Sequence, residues 1–404
     1  MTFTSDKYRA PKFITITRKE HVIPLIIDGQ GIFVFKISNP PVLNMFRIID
    51  TNDKTGLSVI FKRDSIFVSR LPDCEPLIDS TNTKGLSTLE GAYYWFSIDS
   101  QNQVIAAGVG EPRIETCVYN YHFDFTEANK LFLESLVRIM IPQQIETIEP
   151  LRLIRDPITH SVPLLLKDTQ HLKMKHIAKS KFLPKSFLSD TSQKLYDCIS
   201  GKKFILNDSD FPDFSKAIEY SIATPGCWCN MTLKAKAGQF GGGEKETYLR
   251  ITLGQNNGES PGVPFVMEIW PAGHYSPIHN HGGANAVIRV LHGGIRVNLY
   301  PFLSNEADPF GHVNLKKDDI TWISPTLNQV HKLENKGSNT CITIQTYMYD
   351  YTDMMHYDYF DYLDGEGKIE QFEPDSDMDY VRFKALMKKE WNARPRCMPF
   401  CFFV

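Results

Sequence analysis

Two histidines separated by one residue, His279 and His281, form the sharpest chemical signal in the sequence. In a β-strand, residues two apart point to the same face, so both imidazoles can present a nitrogen to one point. A third histidine, His331, follows about fifty residues later. Neutral imidazole binds Zn, Fe, Cu and Ni ions. The set therefore predicts a three-histidine metal site, and the ligands alone leave the identity of the metal open.

The eight cysteines form a weaker signal, because they are spread thinly over 404 residues. Disulfide scaffolds concentrate cysteines in short chains. Cys227 and Cys229 make a C-x-C pair, but no second pair stands at zinc-site spacing, and we interpret them as partly buried thiols. The segment Cys401-Phe-Phe-Val fits a prenylation motif only formally, since Val is unusual in the last place and no polybasic run precedes it.

The residues around the histidines resemble the two sequence motifs of the cupin superfamily. The matching positions are Gly273, His279, His281 and Gly293 in the first motif, and His331 and Asn335 in the second. This resemblance implies a mainly β fold, with a double-stranded β-helix (jelly-roll) barrel that holds a metal ion on the three histidines.

The motif sequences are most similar to those of one branch of that superfamily, the cysteine dioxygenases. Trp270-Pro-Ala-Gly-His-Tyr-Ser-Pro-Ile-His-Asn-His281 is similar to their W-x-x-G-x-x-S-x-I-H-D-H, and His331-Lys-Leu-Glu-Asn335 is similar to their H-R-V-E-N. The resemblance covers roughly residues 187–365. It implies a non-haem Fe(II) thiol dioxygenase that converts cysteine, or a related small thiol carboxylate, and O₂ into the sulfinate.

Four further residues receive roles through this resemblance. Tyr248-Leu-Arg250 resembles the family's Tyr-x-Arg, in which Arg binds the substrate carboxylate through two parallel hydrogen bonds. Tyr347 falls where the family keeps its active-site tyrosine, with Tyr349 as the alternative if the alignment gap is placed differently. Gln345 falls where many members carry His. We expect Tyr248, Arg250 and Gln345 to bind substrate and Tyr347 to act in catalysis.

The chemistry of three neutral imidazoles suits such a reaction. They leave Fe(II) with its full positive charge, which favours an anionic thiolate and lowers the pKa of the thiol on binding. Zinc is the rival metal, since three histidines and a water also form a hydrolytic zinc site.

Two departures from the family pattern leave the substrate open. Ala286 stands where other cupins have a metal-ligating Glu and animal cysteine dioxygenases have a cross-linked Cys. A Tyr- and Asp-rich segment follows Tyr347 in place of the family's Ser-Pro-Pro. The alternatives are therefore a cupin oxygenase or lyase acting on a different small acid, and a non-enzymatic binding protein whose N-terminal domain does the biological work.

Length and charge limit the remaining possibilities. A chain of 404 residues fits two or three domains. With 44 Lys+Arg against 47 Asp+Glu, the formal net charge is −3, which gives no general reason to bind nucleic acid or an anionic membrane. No apolar run reaches the roughly 18–20 residues of a membrane span, and the N-terminus lacks an apolar stretch of signal-peptide length. We therefore expect a cytoplasmic protein.

Patterns of apolar residues divide the chain into four parts. Residues 1–125 alternate with period two and predict a sandwich-like β domain of unknown role, whose exposed aromatics could contact a protein partner. Helical spacing over 127–140, followed by several prolines, predicts a helical and irregular connector at 126–186. Two helices and then, from Met231, strands predict the cupin domain at 187–380. A C-terminal helix and tail are expected at 381–404.

The predicted strands are short and separated by turn residues. They cover residues 13–17, 21–27, 31–37, 57–61, 65–69, 247–253, 265–270, 286–291, 295–302, 319–324 and 341–351, and a hairpin is expected around residues 99–103.

Overall fold

Two compact units make up the protein. The computed structural model describes residues 10–16, 21–37, 43–62, 65–79, 92–141, 147–159, 161–253, 265–350 and 359–395. The first unit consists of Met1–Val162 and Tyr300–Gly311, and the second of Pro163–Leu299 and His312–Val404. Among the described residues, no helix is long and apolar enough to cross a membrane.

The first unit is a sandwich of two antiparallel six-stranded sheets. Its elements are β1 (Phe13–Ile16), β2 (Val22–Pro24), β3 (Gln30–Ile37), β4 (Leu43–Ile49), β5 (Gly56–Lys62), β6 (Ile66–Leu71), β7 (Glu75–Leu77), β8 (Tyr93–Asp99), β9 (Val104–Val109), β10 (Cys117–His122), α1 (Glu127–Glu134), β11 (Arg138–Met140) and β12 (Thr147–Ile154). One sheet has the order β1-β12-β3-β8-β9-β10 and the other β2-β11-β4-β5-β6-β7.

Aromatic rings from both sheets form the core of the sandwich. Phe35 on β3 contacts Phe46 on β4 and Phe61 on β5 edge-on, with ring centroids 5.5 and 5.3 Å apart. The expected hairpin joins β8 to β9, and the Asp99 carboxylate accepts the Asn102 N–H at 3.0 Å in its turn. The predicted sandwich-like β domain is therefore present.

The first unit extends beyond the expected boundary at residue 125. The helix predicted over 127–140 ends at Glu134, and the chain continues as β11, which pairs with β2 on one side and β4 on the other. Ile139 is buried in that strand, whereas Leu131 of the helix is 56% exposed. Pairing with two strand edges outweighs local helical spacing here, because strand formation depends on the neighbours available.

Among the described residues, the second unit contains five α-helices and the remaining strands, of which one begins at Gly311, the last residue of the first unit. They are β13 (Leu165–Lys167), α2 (Met174–Ala178), β14 (Phe182–Pro184), α3 (Asp190–Ile199), α4 (Phe214–Ala223), α5 (Trp228–Lys236), β15 (Leu249–Leu253), β16 (Phe265–Trp270), β17 (Asn285–His292), β18 (Gly294–Leu299), β19 (Gly311–Lys316), β20 (Ile320–Ile323), β21 (His331–Glu334), β22 (Cys341–Met348), β23 (Phe360–Leu363), β24 (Ile369–Phe372), β25 (Met378–Asp379) and α6 (Tyr380–Ala393).

The strand order of the second unit is that of a jelly roll. One sheet contains β20-β17-β22-β16-β15 within a longer eight-stranded series, and the other contains β19-β18-β21. The segment before His279 extends the second sheet, since the Ser276 N–H donates to Leu333 O at 2.9 Å and the His279 N–H to His331 O at 3.1 Å. Two facing sheets with this strand order make the double-stranded β-helix of a cupin barrel, the fold that the sequence resemblance implies.

Three helices pack together at one side of the barrel. Phe383 of α6 contacts Phe214 of α4 and Trp228 of α5, with ring centroids 5.9 and 5.4 Å apart. Helix α5 occupies residues where strands were expected to resume from Met231. It buries Cys229, whose Sγ lies 3.8 Å from Met387 Sδ of α6, so packing on a neighbouring helix stabilises it. The tail with Cys401 lies outside the described residues.

Candidate metal centre

The three predicted histidines come together inside the barrel. His279 and His331 lie directly opposite each other on neighbouring strands and exchange backbone hydrogen bonds of 3.1 and 3.0 Å. His281 reaches the same point, with its Nε2 3.2 Å from His331 Nε2. One ligand atom from each lies within 4.8 Å of the others. Two imidazole nitrogens about 2.1 Å from one ion are about 3.0 Å apart at a right angle and about 3.4 Å apart at a tetrahedral angle. The distance between His281 and His331 therefore fits a shared ion.

Backbone carbonyls orient two of the three rings. His279 Nδ1 lies 3.0 Å from Pro277 O, and His331 Nδ1 lies 3.2 Å from Asn328 O. A carbonyl only accepts hydrogen bonds, so Nδ1 carries the proton and Nε2 keeps a lone pair for a ligand. His281 Nδ1 is buried and has no hydrogen-bond partner among the described residues.

Burial keeps all three imidazoles neutral. It lowers the pKa of His279 to about 4 and that of His331 to about 3, and it holds the pKa of His281 well below its usual value. The neighbouring imidazoles and the Arg250 cation add to this effect. A metal ion binds the neutral form of imidazole, so the donor set fits a divalent ion that prefers nitrogen ligands.

A polar network faces the histidines across the pocket. Arg250 on β15 is buried, and its Nη1 lies 3.2 Å from Glu268 Oε1 on β16. Gln345 Nε2 donates to the other oxygen of Glu268, and the Tyr347 hydroxyl donates to Gln345 Oε1. Tyr248 lies against the same pocket, with its ring stacked on Trp270 at 4.2 Å. The four residues expected to contact substrate therefore line the same pocket as His279 and His281.

Glu268 is the residue that sequence reasoning did not single out. It is buried within the strand Phe265–Trp270, and burial raises its pKa to about 7 although Arg250 and Lys236 lower it. Charged residues are almost never fully buried unless they are paired. A lone acid in an otherwise apolar strand, two residues before Trp270, is the signal that could have identified it.

Aromatic side chains close the pocket on another side. Phe360 and Tyr362 come from β23 and Phe372 from β24, and Phe240 follows helix α5. The Phe360 ring lies 4.5 Å from that of His281. These residues belong to the Tyr- and Asp-rich part of the chain and to segments without a motif, so no spacing rule in the sequence connects them to the histidines.

One departure from the family pattern, Ala286, has clear surroundings. Ala286 lies opposite Tyr347 in the strand register and packs with it in an apolar cluster that includes Ile288 and Ile323. Of the two alternative tyrosines, Tyr347 lines the pocket. Cys229 is buried, and burial raises the pKa of its thiol to about 12, so it is a packed thiol as the sequence indicates.

Comparison with known proteins gives only partial likenesses. No family model matches the sequence. The similar solved structures include the cupin domain of Cnp3 from Schizosaccharomyces pombe, with 16% identity, a TM-score of 0.21, and coverage of 26% of this chain and 65% of that one. A cupin superfamily protein from Desulfitobacterium hafniense has 14% identity and a TM-score of 0.20, over 26% of this chain and 79% of the other.

A third similar structure is a predicted oxalate decarboxylase from Thermotoga maritima, with 18% identity and a TM-score of 0.18 over 22% of this chain and 66% of the other. This chain spans just under two thirds of the length of the first of the three structures. Likenesses at this level carry no argument about function. The second unit is a cupin-type barrel, and that assignment rests on its own strand order.

Proposed function

We propose that this protein is a non-haem Fe(II) enzyme that oxidises a small thiol with O₂ to the sulfinate. The observation that carries the proposal is the convergence of three neutral imidazoles on one point. Two of them, His279 and His281, line a pocket together with a buried Arg and Tyr. Both oxygen atoms enter the product, so the reaction needs no further reductant. When bound, Fe(II) would supply the site at which the thiol and O₂ react.

The residues of the chain have separate tasks in this proposal. The Nε2 atoms of His279, His281 and His331 hold the ion. Arg250 and its polar neighbours orient the end of the substrate that lies away from the sulfur. Burial raises the pKa of Tyr347 well above its usual value, so its hydroxyl keeps its proton at neutral pH. That single proton is donated to Gln345 Oε1, so toward the substrate the hydroxyl oxygen acts as a hydrogen-bond acceptor. Phe360 and the other aromatic side chains exclude water.

The direct test is thiol-dependent O₂ uptake. The full-length protein is reconstituted anaerobically with Fe(II), and O₂ consumption is followed with cysteine, cysteamine, homocysteine and 3-mercaptopropionate. We expect uptake with at least one of these thiols, and mass spectrometry should identify a product heavier by two oxygen atoms.

A matched control uses the same protein loaded with Zn(II), which carries the same charge but no redox chemistry. It should bind in equal amount and consume no O₂. Absence of thiol-dependent uptake by the Fe(II) protein with every thiol would refute the proposed function.

A further inference from the structure

In the pocket, Arg250 already forms an ion pair with a carboxylate of the protein, that of Glu268. Arg250 and Glu268 are both 4% exposed as side chains, and the Nη1–Oε1 distance is 3.2 Å. Both residues line the pocket that contains His279 and His281. The Arg250 Nε atom is buried and has no hydrogen-bond partner among the described residues, so its guanidinium is only partly satisfied. Because Glu268 pairs with Nη1, it largely neutralises the charge that would attract a substrate carboxylate, even though Nε keeps no partner among the described residues.

The position of Glu268 is fixed from its other side as well. Gln345 Nε2 donates to Glu268 Oε2, and the Tyr347 hydroxyl donates to Gln345 Oε1. This chain of hydrogen bonds keeps the carboxylate turned toward Arg250. A substrate carboxylate could reach Arg250 only by separating the pair. That would leave Glu268 as an uncompensated buried charge, which is strongly unfavourable.

A substrate with an ammonium group can bind in this pocket without separating the Arg250–Glu268 pair. Each oxygen of Glu268 accepts one hydrogen bond from the protein and keeps a lone pair for a second donor. A cationic substrate end can therefore bind Glu268 while the pair with Arg250 stays intact.

We propose that Glu268 is a specificity-determining residue, which rejects carboxylate thiols and makes a small aminothiol the substrate of the site. This rests on the thiol oxidation proposed above. Cysteamine and 3-mercaptopropionate isolate the effect of charge. In both molecules two CH₂ groups separate the sulfur from a charged group, which is an ammonium in cysteamine and a carboxylate in 3-mercaptopropionate.

The first test compares selectivity in the Fe(II)-loaded protein. We expect kcat/KM for cysteamine to exceed that for 3-mercaptopropionate at least tenfold. Glu268→Gln keeps the size of the side chain and frees the charge of Arg250, so it should lower this ratio at least tenfold, mainly through a gain for 3-mercaptopropionate. Glu246→Gln is the matched control, because Glu246 is also buried but is not among the residues that line the pocket. It should leave the ratio unchanged.

The second test measures binding without turnover. The full-length protein loaded with Zn(II) is titrated with each thiol, and tryptophan fluorescence is recorded, since Trp270 lies in the pocket wall. We expect Glu268→Gln to bind 3-mercaptopropionate at least tenfold more tightly than the unmodified protein does. Glu268→Asp retains the charge and should preserve the preference for cysteamine. It is the variant to compare with the unmodified protein if Glu268→Gln fails to fold.

The outcomes separate the two proposals. A preference of the unmodified protein for 3-mercaptopropionate, or a ratio that Glu268→Gln leaves unchanged, overturns the role of Glu268 while thiol oxidation stands. If no thiol supports O₂ uptake in any variant, thiol oxidation fails, and the binding titration still decides whether Glu268 selects against carboxylates.

Discussion

Two histidines of the candidate metal site are oriented by carbonyls that lie close to them in sequence. Pro277 O holds His279 and Asn328 O holds His331, two and three residues away. The rings are therefore aimed by local backbone geometry before an ion arrives, which is a form of preorganisation. His281 has no such partner among the described residues, so its orientation depends on the packing of the Tyr347 and Phe360 rings against it.

Removal of His331 should abolish metal binding. We expect His331→Ala to lose stoichiometric metal, because two imidazoles on one edge of the site cannot replace three that surround the ion. Metal content after loading and gel filtration, measured by inductively coupled plasma mass spectrometry, checks this. His292→Ala removes a histidine of β17 that pairs with Glu219 instead, and it should retain full metal content. Full occupancy in His331→Ala would show that the ligand set is misassigned.

The buried histidines should also make the metal-free protein sensitive to acid. Their folded pKa values, about 4 for His279 and about 3 for His331, lie below the ordinary value of 6.5. Between these values the unfolded chain binds more protons than the folded chain, so the free energy of unfolding falls as pH decreases from 6.5 toward 4. Each histidine contributes up to about 1.4 kcal/mol per pH unit. Glu268 acts oppositely, since its raised pKa of about 7 gives stability that is present below pH 4.5 and lost as pH rises through 7.

Urea unfolding of the metal-free protein between pH 4.5 and 6.5 measures this slope. Four of the five tryptophans lie in the second unit, so fluorescence mainly reports the barrel. His279→Asn should reduce the slope by about one proton. Equal slopes for the two proteins would contradict the lowered pKa of His279.

The residue types and spacing were enough to predict the cluster of three histidines but not the polarity of the pocket. His279, His281 and His331 are recognisable because a chelating set needs a fixed spacing on neighbouring strands. Glu268 has no spacing rule of its own, since its effect comes from Arg250 on the adjacent strand. Only the pairing of β15 with β16, which sets Arg250 opposite Glu268, brings the two together.

Among the elements, the turn between β17 and β18 places a strict requirement on residue type. Gly293 has a φ of +69°, and a Cβ there would lie 2.5 Å from Thr340 O. A side chain would thus meet both an unfavourable backbone conformation and a backbone atom that cannot move aside. The motif glycine is needed for the close approach of the turn to the start of β22, and it has no direct part in the chemistry.

We expect Gly293→Ala to lower the free energy of unfolding of the barrel by about 2 kcal/mol or more, since left-handed backbone strain alone costs about 1–3 kcal/mol. Chemical denaturation followed by tryptophan fluorescence measures the loss. Gly311→Ala is the matched control, because no atom lies within 4 Å of its added Cβ and its φ is not in the left-handed region. Equal stability of the two variants would show that the turn tolerates a side chain.

Elements that depend on local alternation were predictable, and elements that depend on partners were not. Strands β15, β16 and β22 lie close to their predicted bounds, because each alternates or is continuously apolar between turn residues. Strand β11 was hidden within a helical spacing, since its identity comes from the edges of β2 and β4. Helix α5 was not predicted from the sequence, because it is stabilised by contacts of Trp228 and Cys229 with Phe383 and Met387 of α6.

At the scale of the whole molecule, the first unit includes a segment that lies between two barrel strands in sequence. Residues Tyr300–Gly311 belong to it, and Phe302 and Ala307 are part of its hydrophobic core. The Glu111 N–H donates to Pro301 O at 2.7 Å. The sequence indicated a strand over 295–302 that continued past Leu299, so no break in pattern marked the change of unit. A role for the first unit in binding a protein partner stays a prediction.

Truncation of Phe302 should therefore destabilise the sandwich. Large-to-small changes at buried phenylalanines cost about 3–5 kcal/mol, so Phe302→Ala should speed amide exchange in peptides of β8 and β9. Hydrogen exchange with mass spectrometry reads those peptides separately from the barrel. Phe187→Ala removes an exposed ring of the second unit and should leave their exchange unchanged. Unaltered exchange in Phe302→Ala would contradict the assignment of this segment to the first core.

The division of the first unit also sets an order of events during synthesis. Strands β1 to β12 leave the ribosome well before the residues that complete their core, which follow roughly 150 residues later. At about 5–20 residues per second, that interval lasts about 8–30 seconds. Throughout it, the places of Phe302 and Ala307 in the core stay unfilled. The nascent chain therefore passes through a period in which it presents apolar surface to chaperones. The sandwich reaches its final stability only after strands β13 to β18 of the second unit have been made.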